Sequence, residues 1–153
     1  MKRLFGIFAV VAMAMVIVMF AVNVNATIGD RNTHQPNINP QTKQERIELD
    51  VARELKGLHY EVWGQIKVIN KMEILTTLIT DKKEREEIAK HLSDAMKALL
   101  QIETILLKMI AGLESHTINY SILSDQQKKI TELENKAIDL VSKVKKILKP
   151  YLE

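Results

Sequence analysis

The stretch that decides the fold runs from residue 82 to residue 113, KKEREEIAKHLSDAMKALLQIETILLKMIAGL. Within it Ile88, Leu92, Ala95, Leu99, Ile102, Leu106, Met109 and Leu113 recur at alternating steps of four and three. Steps of that kind put every one of these side chains on the same side of a helix. Met96, Leu100, Leu107 and Ile110 widen the stripe, at about 100° per residue, to well over half the circumference. The pattern predicts a helix over about 82–111 that touches more than one neighbour.

The same periodicity extends outward in both directions. A first helix is expected over about 43–79, with Val51, Leu55, Leu58, Val62, Ile66 and Ile69 along its seam. A third is expected over about 125–149, with Ile130, Leu133, Ala137, Leu140, Val144 and Ile147. No proline interrupts Thr42 to Lys149, and no period-two strand pattern is present. Three helix-start signatures punctuate the run: Thr42 to Glu45, Asp81 to Glu84 and Ser124 to Gln127. Each has the residue types of a capping box, in which the first side chain accepts an amide hydrogen bond and the fourth reaches back. Carried beyond Ile79, the first seam falls on charged Lys83 and Glu86, so the first and second helices are separate. Gly112 is a candidate C-cap for the second helix, Gly57 a candidate bend in the first, and Pro150 closes the third. The expected architecture is all-α: an up-down-up three-helix bundle over 42–153 with coiled-coil-like packing.

Residues 1–26 carry a different message. Lys2 and Arg3 precede nineteen uncharged residues, Leu4 to Val22, and the segment ends in Val24-Asn25-Ala26. A basic start, an apolar run and small residues ending in alanine are the features of an export signal. Cleavage between Ala26 and Thr27 is the leading expectation. A retained anchor is the alternative, because nineteen helical residues rise about 28 Å, close to the thickness of a hydrocarbon core. Both readings place the rest of the chain beyond the membrane, since Lys2 and Arg3 hold the N-terminus inside. The chain is therefore expected to be secreted, periplasmic or extracellular, or else single-pass and anchored. Residues 27–41, with two prolines and few aliphatic side chains, read as a flexible tether.

Composition narrows the function. The chain carries 22 Lys+Arg against 19 Asp+Glu and no cysteine. Without Lys2 and Arg3 the balance is 20 against 19, so the pI near 9.0 is not a nucleic-acid footprint. Lack of cysteine excludes a disulfide-stapled fold and thiolate zinc or redox chemistry. No nucleophile elbow, zincin motif or glycine-rich phosphate loop is present, so neither a catalytic residue nor a cofactor is expected. His91, with Glu87 four residues before it and Asp94 three after, could converge on one face; a solvated charged stripe explains the same spacing.

The segment Gly57-Leu58-His59-Tyr60-Glu61-Val62-Trp63-Gly64 is the candidate interaction surface. Leu58 and Val62 belong to the seam, whereas Gly57, Tyr60 and Gly64 lie roughly opposite it and Trp63 sits on the border. A partner helix could approach between the glycines; alternatively Trp63 caps the core and the glycines allow a bend. Lys143, Lys145, Lys146 and Lys149 suit the negative end of the third helix, and could also meet anionic lipid or a polyanion. Asn119-Tyr120-Ser121 is a glycosylation sequon in an expected loop.

Leu123-Ser-Asp-Gln-Gln127 resembles the L-T-x-x-Q helix-start motif of small periplasmic stress chaperones and metal-sensor helical proteins, with Ser in place of Thr. Leu78-Ile-Thr80-Asp-Lys-Lys83 is a poorer second copy, and the Met/His-rich ends of the metal-responsive members are missing. The expected function is an exported, non-enzymatic bundle that binds another protein or a second copy of itself. The alternative is a carrier or chaperone-like protein for lipid or unfolded protein.

Overall fold

A computed structural model describes residues 40–151. The expectations for the export segment, for Ala26 and Thr27, and for most of the tether lie outside the described residues. Among those described the fold is all-helical, without strands, and three helices pack against each other. They are α1 (Pro40–Thr76), α2 (Lys82–Glu114) and α3 (Leu123–Leu148), with 3-10 turns at Tyr120–Ile122 and Lys149–Tyr151. None of these helices is long and apolar enough to cross a membrane.

The chain divides into two compact units. The first comprises residues up to 58 together with 107–127; the second comprises 59–106 together with the chain from 128 onward. In the first, Ala52, Leu55, Leu58, Met109, Leu113 and Leu123 are buried. In the second, the seam residues Val62, Ile66 and Ile69 are buried, and so are Ile88, Leu92 and Leu99.

All eight residues of the deciding stripe in α2 are buried, but its flank is narrower than expected. Ile110 is covered, Met96 is half-buried, and Leu100 and Leu107 remain 45 % and 47 % exposed. The third seam is turned from its expected setting. Ile130, Ala137 and Val144 form its centre, while Leu133, Leu140 and Ile147 are only half-buried and Glu134 and Leu148 are buried instead. The residues at 133, 140 and 147 flank that central column on one side, and those at 134, 141 and 148 flank it on the other. The helix has turned toward the second.

Helix ends explain most boundary differences. α1 begins at Pro40, two residues before the Thr42 signature, because proline suits a first helical turn whose N–H groups have no partner. It runs through Gly57 and Gly64 without interruption. It stops at Thr76, short of Ile79, where the Thr76 hydroxyl donates to the Met72 carbonyl (2.8 Å) and that of Thr77 to Ile74 (2.7 Å). Ile79 is nonetheless only 1 % exposed, packed from the connection rather than from the helix.

Asp81 caps α2 as expected, accepting from the Glu84 backbone N–H at 2.9 Å. The reciprocal half of the box is not made; the Glu84 carboxylate accepts from the Tyr151 hydroxyl instead.

α2 ends at Glu114, and the left-handed residue beyond it is His116 (φ 54°), not Gly112. The His116 and Thr117 amides donate to the carbonyls of Leu113 and Gly112, at 3.2 and 2.9 Å. Gly112 serves close approach: a Cβ there would stand 3.4 Å from the Ile118 backbone. The approach to α3 is capped by Asn119, whose side-chain oxygen accepts from the Ser121 amide (3.0 Å) and hydroxyl (2.7 Å), so Ser124 does not start the helix.

Candidate functional site

The outer side of α1 carries the residues singled out from sequence. Gly57 belongs to the first unit and Gly64 to the second, and a Cβ at either would meet nothing within 4 Å. Both glycines are therefore open, and neither is there to let another element pack closely. In the second unit Tyr60 is 74 % exposed and Trp63 47 % exposed. Trp63 is about half covered. Its indole Nε1 donates to Glu103 on α2 at 2.7 Å, and the same carboxylate oxygen lies 3.0 Å from His59 Nε2. One edge of the indole is thus fixed while nearly half of the residue faces outward. The His59 and Tyr60 rings lie side by side, with centroids 5.9 Å apart.

Farther along this side Lys67, Lys71 and Ile74 (68 %) are exposed, and Leu78 (73 %) is exposed in the turn that follows α1. Neither lysine forms an ion pair with any described residue. The hydrophobic pattern missed this run, because Ile74 and Leu78 look like ordinary helix-interior residues. Counting from Lys67 at about 100° per residue places Ile74 beside the two lysines but does not show that nothing covers it.

Two buried glutamates also escaped the sequence reading. In the first unit, Glu48 accepts hydrogen bonds from the Tyr120 hydroxyl, from His116 Nδ1 and from Gln44 Nε2 (3.3 Å). Burial alone would push the Glu48 carboxyl up, but the bonds from Tyr120, His116 and Gln44, with the charge of His116, hold it below its ordinary value. Burial and the bond to Glu48 raise the Tyr120 phenol, keeping it protonated as a donor. The cluster ties residues 116–120 to α1. Every group in it already has a partner, which fits a structural tie better than acid–base chemistry on a substrate.

In the second unit, Glu134 is buried and its Oε1 has no hydrogen-bond partner among the described residues. Burial first, and the charge of Glu61 second, push its carboxyl above the ordinary value. The signal for both glutamates was register. Glu48 lies three residues before Val51, and Glu134 lies four after Ile130 and three before Ala137, so each occupies a seam position.

Other candidates come together only in part. His91 Nε2 lies 3.6 Å from Glu87, but Asp94 is directed to Lys97 at 3.5 Å, and no group of three metal-ligating side chains occurs among the described residues. Lys143 pairs with Asp139 at 2.7 Å, while Lys145 and Lys146 are exposed in the last turn of α3. Asn119 is exposed with its amide oxygen engaged locally. No protein-family model, curated protein or solved structure matches this chain.

Proposed function

We propose that the chain is an exported, non-enzymatic up-down-up bundle with coiled-coil-like packing, and that it acts by binding a partner through the outer side of α1. The observation that carries this reading is the exposure of Tyr60 and Trp63 on a helix whose inward residues are buried. Aromatic side chains bring large contact area at low entropic cost, and single exposed ones gather at contact faces more often than charged residues do. Gly64 adds an open site beside them. The export segment supplies the setting, at or beyond a membrane, and no cofactor enters the reading.

Site-specific photo-crosslinking in the producing cell tests it. A photoreactive residue replacing Tyr60 should give a discrete adduct, whereas one replacing exposed Lys128 on α3 should not. Equal, diffuse labelling from both positions would defeat the reading.

A further inference from the structure

Between His59 and Thr76, α1 separates its charges by side. This stretch holds two basic residues, Lys67 and Lys71, and two acidic ones, Glu61 and Glu73. Measured around the helix from Lys67 at about 100° per residue, Tyr60, Trp63, Gly64, Lys71 and Ile74 all lie within roughly 60°. Glu61 and Glu73 lie about 120° away on opposite flanks. Lys82, Lys97 and Lys143 of the same unit each have a carboxylate three or four residues away to pair with. The corresponding neighbours of Lys67 are Trp63, Gly64, Asn70 and Lys71, none of them acidic. The outer side thus presents two lysines without ion-pair partners among the described residues, bordered by exposed Tyr60, Trp63 and Ile74.

This is the residue set that an anionic bilayer surface selects. Tyrosine and tryptophan rings settle at headgroup depth, and aliphatic side chains enter the acyl boundary. Lysines lay their stems along apolar surface and keep their ammonium groups among lipid phosphates. The face is one side of a single helix, about 21 Å long from residue 60 to residue 74.

We infer that Tyr60, Trp63, Lys67, Lys71 and Ile74 form a docking face for an anionic phospholipid surface. The inference rests on reading the outer side of α1 as the binding surface, and it names the occupant.

Trp63 is the only tryptophan in the chain, so its fluorescence reports on this face and not on the N-terminal segment. The full chain, as isolated from the producing cell, is mixed with vesicles of phosphatidylglycerol and phosphatidylcholine, or of phosphatidylcholine alone, both carrying bromine on the acyl chains. The expected result is quenching of Trp63 in the anionic vesicles and much less in the neutral ones. Replacing Lys67 and Lys71 together by glutamine should weaken that interaction roughly 25-fold, at about five-fold for each lysine, and added salt should weaken it in the parent. Gly64→Leu should leave quenching intact or strengthen it, since it adds apolar surface where nothing stands within 4 Å.

Quenching of equal strength in neutral vesicles, or indifferent to the double glutamine change, overturns the charge argument and with it the inference. Unquenched Trp63 in anionic vesicles overturns it too. In that case an adduct from position 60 to a protein or a second copy, lost on Gly64→Leu, would show that the binding reading survives with a different occupant. Absence of any adduct would remove both.

Discussion

Glu48 in the first unit and Glu134 in the second are only 4 % and 5 % exposed, yet their surroundings are opposite. Glu48 is met by a phenol, an imidazole and an amide. Glu134 has an oxygen with no partner among the described residues and a second carboxylate, Glu61, in its field. The difference teaches that burial does not decide what a charged group does to a fold; the donors around it do. A carboxylate taken from water costs several kcal/mol unless hydrogen bonds replace its hydration. The first unit supplies them at the price of a residue with positive φ, His116, a conformation that costs about 1 kcal/mol outside glycine. The second supplies none that the described residues show.

Removing Glu48 should give the largest effect. Glu48→Ala strands the Tyr120 hydroxyl and releases His116 from its left-handed setting. A loss of about 3 kcal/mol is expected, seen as a melting temperature lower by roughly 10 °C. A change under about 0.5 kcal/mol, the size of an ordinary surface substitution, would mean that the cluster is not formed in solution, and the contrast would collapse.

Glu134→Leu should act with the opposite sign. Replacing an unsatisfied buried carboxylate with an aliphatic group of similar bulk is expected to stabilise by about 1–2 kcal/mol near neutral pH. Chemical denaturation measures it. A destabilised variant would show that Glu134 has a partner in solution, and that the two glutamates are alike after all.

The two carboxyls also respond to pH in opposite directions. Glu48 has a lowered folded pKa, so its contribution is complete above the ordinary carboxylate range and is lost as pH falls through the lowered value. Glu134 has a raised folded pKa, so its contribution is complete below that range and is lost as pH rises through the raised value. Each can change stability by at most about 1.4 kcal/mol per pH unit. Stability followed by denaturation between acid and neutral pH should keep its acid-side limb in Glu134→Gln and lose the limb above it. Glu48→Gln should do the reverse. Two variants with the same altered profile would erase the distinction.

The legible part of this molecule was the part written in period. The eight-residue stripe of α2 and the six-residue seam of α1 were readable because spacing alone places a side chain on a helix face. Asp81 was readable because its bond to the Glu84 amide is local. Glu48 and Glu134 were not, since a hydrophobic pattern assigns charged residues to the outside by default; long-range donors such as Tyr120 meet Glu48 inside, and the setting of α3 covers Glu134 without any that the described residues show. The setting of α3 was ambiguous for a related reason. Its central column, Ile130, Ala137 and Val144, has flanks on both sides, and packing chose the flank that contains Glu134. The expected starts at Thr42 and Ser124 are displaced: α1 already includes Pro40, and Asn119 caps the 3-10 turn that leads into α3. Of the candidate surface, Tyr60, Trp63 and both glycines were legible on a helical wheel. Ile74 and Leu78 were not, because an apolar residue does not announce that no neighbour covers it.

The smallest expected effect checks that the contrast belongs to the buried glutamates and not to some general difference between the units. Gly57 and Gly64 provide matched probes, one in each unit, both within α1 and both with open space where a Cβ would go. Alanine at either position should stabilise by about 1 kcal/mol, because it restricts the unfolded chain and favours the helix without meeting a neighbour. The two gains should agree within about 0.5 kcal/mol, the usual error of independent sites. Gly112→Ala is the counterpoint. Its Cβ would press on Ile118 at 3.4 Å, so the propensity gain should be offset and the net change should fall below that of the other two. Should Gly64→Ala stabilise far more than Gly57→Ala, the second unit would be the less stable one even in its helix backbone. The opposite behaviour of the two glutamates would then need an explanation that begins with the helix and not with the carboxylate.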